Sequence, residues 1–173
     1  SVLGPLLFLV YMNDINAALP GQKVKLFADD TNLFISGKNL SEASELAADC
    51  IGKLSEWFTA NKLTLNIDKT CFMVFPPDKT NSVALCINGK AINKVGSCRY
   101  LGVIIDDELK WNDHIQHVYN KLIKYVGIFY KLRNKLPITM LQTIYYAFVQ
   151  SHLLYAVEVY ANTCPTYLEK LIN

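Results

Sequence analysis

Hydrophobic spacing changes period several times along this chain, and the changes divide it into elements. "SVLGPLLFLVYMNDINAAL" places Leu3, Leu6, Leu7, Val10, Tyr11 and Ile15 at i, i+3, i+4 spacing. That spacing predicts a buried helix with Pro5 tolerated in its first turn and Pro20-Gly21 ending it. "KVKLFADDTNLFISG" reads as two strand-forming runs flanking Asp29 and Asp30, the pattern of a hairpin. Asn39, with Glu42 three residues on, predicts a capping box. The helix it opens should run to about Ala60, with Leu46, Cys50, Leu54, Trp57 and Phe58 on one face. "LTLNIDKTCFMVF" returns to strand, and "SCRYLGVIID" is a further strand. Between them, "VALCINGKAINKV" is a hairpin about Asn88-Gly89, a pair suited to a type I′ turn.

From Trp111 the texture is helical only. Ile115, Val118, Leu122, Tyr125, Val126 and Phe129 form a long stripe with the basic residues off it. Pro137 starts a second helix through "PITMLQTIYYAFVQSHLLYAVEVY", and Pro165 starts a third. The order predicts an α+β layer followed by a helical subdomain, with the boundary near Asp106 to Trp111.

Composition narrows the class. A chain of 173 residues suits one domain, or a core with a smaller appended piece, and 51% hydrophobic residues can fill a sizeable core. The net charge of +2 points to no partner, but its distribution is uneven. Between Lys110 and Leu136, six basic residues (Lys110, Lys121, Lys124, Lys131, Arg133, Lys135) stand against the single acid Asp113, whereas Asp29 to Asp68 gathers seven acids. Five scattered cysteines, none in C-x-x-C spacing, argue against a disulfide framework or a zinc site and fit a reducing, intracellular setting. The apolar run Val2 to Met12 is broken by Gly4 and Pro5, too short to span a bilayer, and lacks a secretory signature. Opening on Ser1 without an initiator Met, the chain reads as a piece of something longer.

The chemistry centres on "LFADDTNLF". Adjacent aspartates between two strands are common turn residues, because a carboxylate can cap nearby backbone amides. They are also hard oxygen ligands of the kind that hold Mg2+ together with substrate phosphates, and a turn is a rigid place to present them. On local grounds the turn reading is favoured and the metal reading stays open. His114 and His117 lie three apart on one helix without a third ligand nearby, which disfavours a metal site, and His152 reads as a hydrogen-bonded core histidine.

Other segments carry a resemblance. "FADD" at 27–30 resembles the catalytic turn of reverse transcriptases, and "SVLGPLLFLVYMND" the segment after the Pro-Gln-Gly of their second conserved block. "NKLTLNIDKT" at 61–70, "YLGVIID" at 100–106 and "LKWNDHI" at 109–115 resemble the blocks that follow, the last being the entry to the thumb. They occur in the family's order from Ser1 to roughly Tyr160, and are most similar to polymerases of non-LTR retrotransposons, the jockey-like and related lineages.

That resemblance implies the C-terminal part of a palm, an antiparallel sheet with helices, over residues 1–106, and a helical thumb over 107–173. It implies an RNA-directed DNA polymerase using two Mg2+ ions (or Mn2+), deoxynucleoside triphosphates, template RNA and a DNA primer, with no membrane partner and a nuclear or cytoplasmic location. Asp29 would be the firmer metal ligand and Asp30 the supporting one. Lys69 corresponds to a lysine near the triphosphate, against the alternative of a solvated strand-end lysine. Ser1, Gly4, Phe27 and Ala28 would line the template and nucleotide side, with Gly4 permitting close backbone approach. Tyr100, Leu101 and Gly102 match the strand that grips the primer terminus, and Lys121, Lys124, Lys131 and Arg133 the backbone-contacting thumb helix. Trp111 reads as a packing anchor.

A further family aspartate lies on a strand before the second block, ahead of Ser1. The fragment alone is therefore expected to bind two metals poorly and not to polymerise. The alternatives are a non-catalytic remnant that binds nucleic acid through the basic helix, or a structural domain in which Asp29-Asp30 is only a turn.

Overall fold

A computed structural model describes residues 2–78 and 83–172, which pack as two compact units. One unit comprises residues 2–72 and 83–95, the other 73–78 and 96–172.

In the first unit, helices α1 (Leu3–Met12) and α2 (Ile15–Ala18) are followed by strands β1 (Lys23–Phe27) and β2 (Asp30–Phe34) and by the long helix α3 (Leu40–Ala60). The expected single helix to Leu19 is broken at Asn13-Asp14, where two turn residues separate α1 from α2. Nor is α1 buried along a stripe: Leu3, Leu6, Leu7, Leu9 and Val10 are exposed, and only Met12 is buried. Apolar residues occupy every side of this helix, so spacing alone could not say which side would be covered. Phe8 packs against the core, and the Tyr11 hydroxyl donates to the Asn61 carbonyl.

The helix α3 follows its pattern. Cys50, Leu54 and Phe58 are buried and join Met12, Ile15, Leu19 and Val24 in one cluster, with Leu46 and Trp57 packed at its edge. The Asn39 side chain accepts from the Glu42 amide at 2.8 Å, capping the helix. Its expected reciprocal bond is displaced by one residue, since the Glu42 carboxylate accepts from the Lys38 amide at 2.8 Å.

The rest of this unit is short strands: β3 (Cys71–Phe72), β4 (Cys86–Ile87), β5 (Lys90–Ala91) and β6 (Asn93–Lys94). The strand expected across "LTLNIDKTCFMVF" shrinks to β3. The Asn66 side chain accepts from the Lys69 amide and folds Ile67–Lys69 into a 3-10 turn instead. Asn88 and Gly89 both take positive φ, 50° and 79°, and close the β4–β5 hairpin as their residue types predict. Leu85, Ile87 and Ile92 form a second small cluster below it.

The second unit begins with strands β7 (Ser97–Tyr100) and β8 (Val103–Asp106), continues through helices α4 (Asn112–Leu132), α5 (Ile138–Tyr145), α6 (Ser151–Leu154) and α7 (Val157–Tyr160), and ends with α8 (Pro165–Ile172). The single strand expected over "SCRYLGVIID" is a hairpin, because Leu101 and Gly102 both adopt positive φ and turn the chain back. The expected second helix is interrupted twice, by a π-helical turn at Tyr146–Gln150 and by a break at Tyr155-Ala156. Of the α4 stripe, Ile115 and Val118 are buried as expected, but Val126 is 66% exposed. Among the described residues the strands form four separate two-stranded pairs rather than one antiparallel sheet, and β3 pairs with β6 in parallel. The two-residue strands β3 to β6 expose too few backbone groups to extend a sheet.

His114 is buried in the second unit, edge-on to Tyr160, and its Nδ1 accepts from the Ile104 amide at 3.3 Å. That bond fixes the proton on Nε2, which is buried without a protein partner among the described residues. Burial, then the neighbouring His117 and Lys121, hold the imidazole below its ordinary value of 6.5. The unfolded chain takes up this proton first, so His114 makes the unit less stable as pH falls from about 6.5 toward the depressed folded value. His114→Gln is expected to flatten that part of the pH dependence of the urea midpoint. Separately, Asn39→Ala should cost about 1 kcal/mol in urea unfolding, with Asn39→Ser close to neutral.

Candidate functional site

The two aspartates stand at the end of the β1–β2 hairpin, and burial decides where. Val24 is buried and Leu26 and Leu33 are half-buried against the cluster formed with α3, while Lys23, Lys25, Phe27 and Phe34 face outward. Side chains alternate along a strand, so a slip of one residue would expose the inward set, and the register is held. It pairs Val24 with Leu33, Leu26 with Thr31 and Phe27 with Asp30. Two residues remain for the turn, Ala28 and Asp29. The acids therefore differ in kind: Asp29 is a turn residue, and Asp30 is the first residue of β2 rather than part of the turn.

Ala28 adopts φ of +51°, a region that favours glycine in two-residue hairpin loops. Alanine there costs roughly 1 kcal/mol in backbone strain. Both carboxylates are exposed, so the apolar approach through Leu26 and Phe27 seals neither of them from water. Lys53–Asp49 and Lys110–Glu108 form ion pairs, and among the described residues Asp29, Asp30 and Lys69 form none. Mg2+ is bound by one or two carboxylates with water and substrate phosphates supplying the rest. Asp29 and Asp30 are donors of that type. Among the described residues no group of three or more His, Cys, Asp or Glu is arranged to hold a metal.

The remaining candidates are dispersed. Lys69 lies exposed at the end of the 3-10 turn rather than at a strand end. Ser1 lies outside the described residues, and a Cβ added at Gly4 would meet nothing within 4 Å, so no close approach there explains the glycine. Phe27 is 61% exposed beside the turn. Tyr100, Leu101 and Gly102 form the end of the β7–β8 hairpin. On α4, Lys121 is half-buried, whereas Lys124 and Lys131 are exposed; Arg133 follows the helix, its guanidinium 4.1 Å above the Tyr130 ring. At i, i+3 and i+10 the three lysines lie along one side of the helix. Tyr125 stacks against His152, their polar atoms 3.5 Å apart, which leaves that histidine half-buried with a tyrosine partner.

Sequence reasoning missed two residues. The Asp106 carboxylate accepts from the amides of Glu108 (3.2 Å), Lys110 (2.9 Å) and Trp111 (2.7 Å), and so shapes the entry to α4. An aspartate followed by several polar residues before a helix was the available signal. Trp111 itself takes φ of +64° at the N-cap, a placement its residue type does not announce. The second is Tyr155, whose hydroxyl donates to the Leu101 carbonyl at 2.6 Å across 54 residues, for which no local pattern exists.

Comparison with known proteins agrees with the sequence pattern. The family described as reverse transcriptase (RNA-dependent DNA polymerase) matches residues 1–105. The chain is 28% identical to an RNA-directed DNA polymerase from the mobile element jockey of Drosophila funebris, covering 99% of this chain and 20% of that protein. It is 24% identical to a probable RNA-directed DNA polymerase from transposon X-element of Drosophila melanogaster, again over 99% of this chain and 20% of the relative. The chain thus spans about one fifth of the length of these relatives. No solved structure matches it. With a family match over more than half of its length and 99% of its residues aligned to these relatives, the chain belongs to the reverse transcriptase family of non-LTR retrotransposons.

Proposed function

We propose that the chain is part of an RNA-directed DNA polymerase that extends a DNA primer on template RNA, and that Asp29 and Asp30 carry its metal-binding side. The observation that carries this reading is the end of the β1–β2 hairpin: a register held by buried residues presents one exposed carboxylate on a strained two-residue turn, Asp29, and a second at the first position of β2, Asp30, neither in an ion pair among the described residues. Non-glycine residues at positive φ are enriched at functional sites, and Ala28 is one of several in this chain. Bound Mg2+ supplies charge neutralisation for the triphosphate and the primer 3′-hydroxyl, which is most of what phosphoryl transfer asks of a protein. Asp29, at the tip, is the firmer ligand, and Asp30, at the strand start, supports it. Lys69 serves the triphosphate side as an exposed cation without a salt bridge among the described residues.

In this reading residues 1–106 belong to the palm and 107–173 to the thumb. Gly4, Phe27 and Ala28 belong to the template and nucleotide side, and the Tyr100–Gly102 turn bears on the primer terminus. Lys121, Lys124, Lys131 and Arg133 contact nucleic-acid backbone, where sequence-independent phosphate contact suits an enzyme that must copy any template. Among the described residues no third acid is grouped beside these two carboxylates, and in this reading the 173-residue chain by itself does not polymerise.

The test uses a longer polymerase that contains this chain. Asp29→Ala is expected to lower primer extension on the order of a hundredfold or more, the scale of several kcal/mol of lost charge stabilisation, with template–primer binding retained. Parallel loss of binding and synthesis would defeat the assigned role. Lys124→Gln should instead weaken binding evenly across sequences and reduce the salt dependence, log Kd against log salt, by roughly one contact.

A further inference from the structure

The β7–β8 hairpin ends in a turn that its own residues do not stabilise well. Tyr100 pairs with Val103, so Leu101 and Gly102 alone make the loop, at φ of +46° and +85°. Such a turn suits Asn-Gly or Asp-Gly, and leucine in the first position is strained. Something outside the hairpin must hold it. The Tyr155 hydroxyl donates to the Leu101 carbonyl at 2.6 Å, and the ring lies close over the next residue: a Cβ added at Gly102 would come within 3.2 Å of Tyr155 Cε1 and 3.4 Å of its hydroxyl oxygen.

Tyr155 reaches the turn because the helix stops there. α6 ends at Leu154, Tyr155 is extended, and Ala156 takes φ of +54° before α7 starts. The Leu153 carbonyl, in the last turn of α6, accepts the Tyr160 hydroxyl. Tyr160 also lies edge-on to His114, with ring centroids 4.9 Å apart, and His114 accepts the Ile104 amide of β8. The break therefore bears on the hairpin twice, directly at its turn and through His114 at its second strand. Tyr155 is 55% exposed, so burial of its ring is not the reason for its position.

We propose that Tyr155 is a positioning residue for the Tyr100–Gly102 turn, fixing it in one conformation and coupling it to the α6–α7 break. The proposal rests on the reading above, in which that turn bears on the primer terminus. Its hydroxyl contributes one hydrogen bond, so its loss should change a primer-terminus property about threefold to tenfold and not abolish synthesis.

The experiment compares Tyr155→Phe with the parent in the polymerase described above. Nucleotides added per primer encounter are counted in the presence of a trap, alongside the single-turnover rate on pre-bound primer and amide exchange at residues 101–103. The expected result is a threefold to tenfold drop in nucleotides added per encounter, an unchanged single-turnover rate and faster exchange at the turn. Combination with Gly102→Ala should be non-additive, since both act on one turn. Unchanged product length, simple additivity, or a fall in rate accompanied by loss of folded protein would each overturn the positioning role. Asp29→Ala is run beside it: a silent Tyr155→Phe where Asp29→Ala is dead sinks this proposal alone, whereas an active Asp29→Ala sinks the reading beneath it.

Discussion

The inward face of a five-residue strand pair sets the geometry on which the first unit's chemistry depends. Val24, Leu26 and Leu33 have one direction in which they can leave water, toward α3 and its cluster. Because strand side chains alternate, satisfying those three fixes every other position in the pair, Asp30 among them, and leaves Asp29 in the two-residue turn that joins the strands. The carboxylates of Asp29 and Asp30 are thus placed by residues they do not touch. A polar pair could not place itself, since water solvates an exposed acid equally well in many positions.

Both the β1–β2 and β7–β8 hairpins close with a residue poorly suited to its backbone, Ala28 in one and Leu101 in the other. The compensations differ. At Ala28 the strands on either side are held by burial, and among the described residues no side chain reaches the turn with a hydrogen bond. At Leu101 a tyrosine from a distant helix break supplies one. The first arrangement leaves the turn open on its solvent side, and the second leaves it clamped. Asp106 adds a third device, one carboxylate gathering three amides so that the chain can enter α4 at a left-handed Trp111.

Features with local causes were legible in the sequence. The Asn39 cap, the buried face of α3 and the Asn88-Gly89 hairpin were read correctly, because residue chemistry acting over a few positions produces each of them. The family blocks located Asp29 and Asp30, and hydrophobic alternation located the hairpin that bears them. Reading failed where a tertiary partner decided the outcome. Leu101-Gly102 looks like strand interior until the Tyr155 hydroxyl is known. Asn66 diverted a strand pattern into a 3-10 turn by one side-chain bond. Val126 fits the periodicity of α4 yet stands in water, because the elements packed on α4 cover only part of its apolar arc.

The first helix shows what such patterning withholds. With Leu, Val and Phe on all sides, α1 could roll about its own axis and bury nearly the same apolar area at any angle. Its rotational setting is then chosen by the few contacts that are not interchangeable. Met12 and Phe8 enter the core, but another large apolar residue could serve there. The Tyr11 hydroxyl on the Asn61 carbonyl has no substitute on the helix, since no other side chain between Leu3 and Met12 carries a polar atom that can donate. Among the side chains of this helix, the phenol alone ties one direction of the helix to a fixed backbone atom.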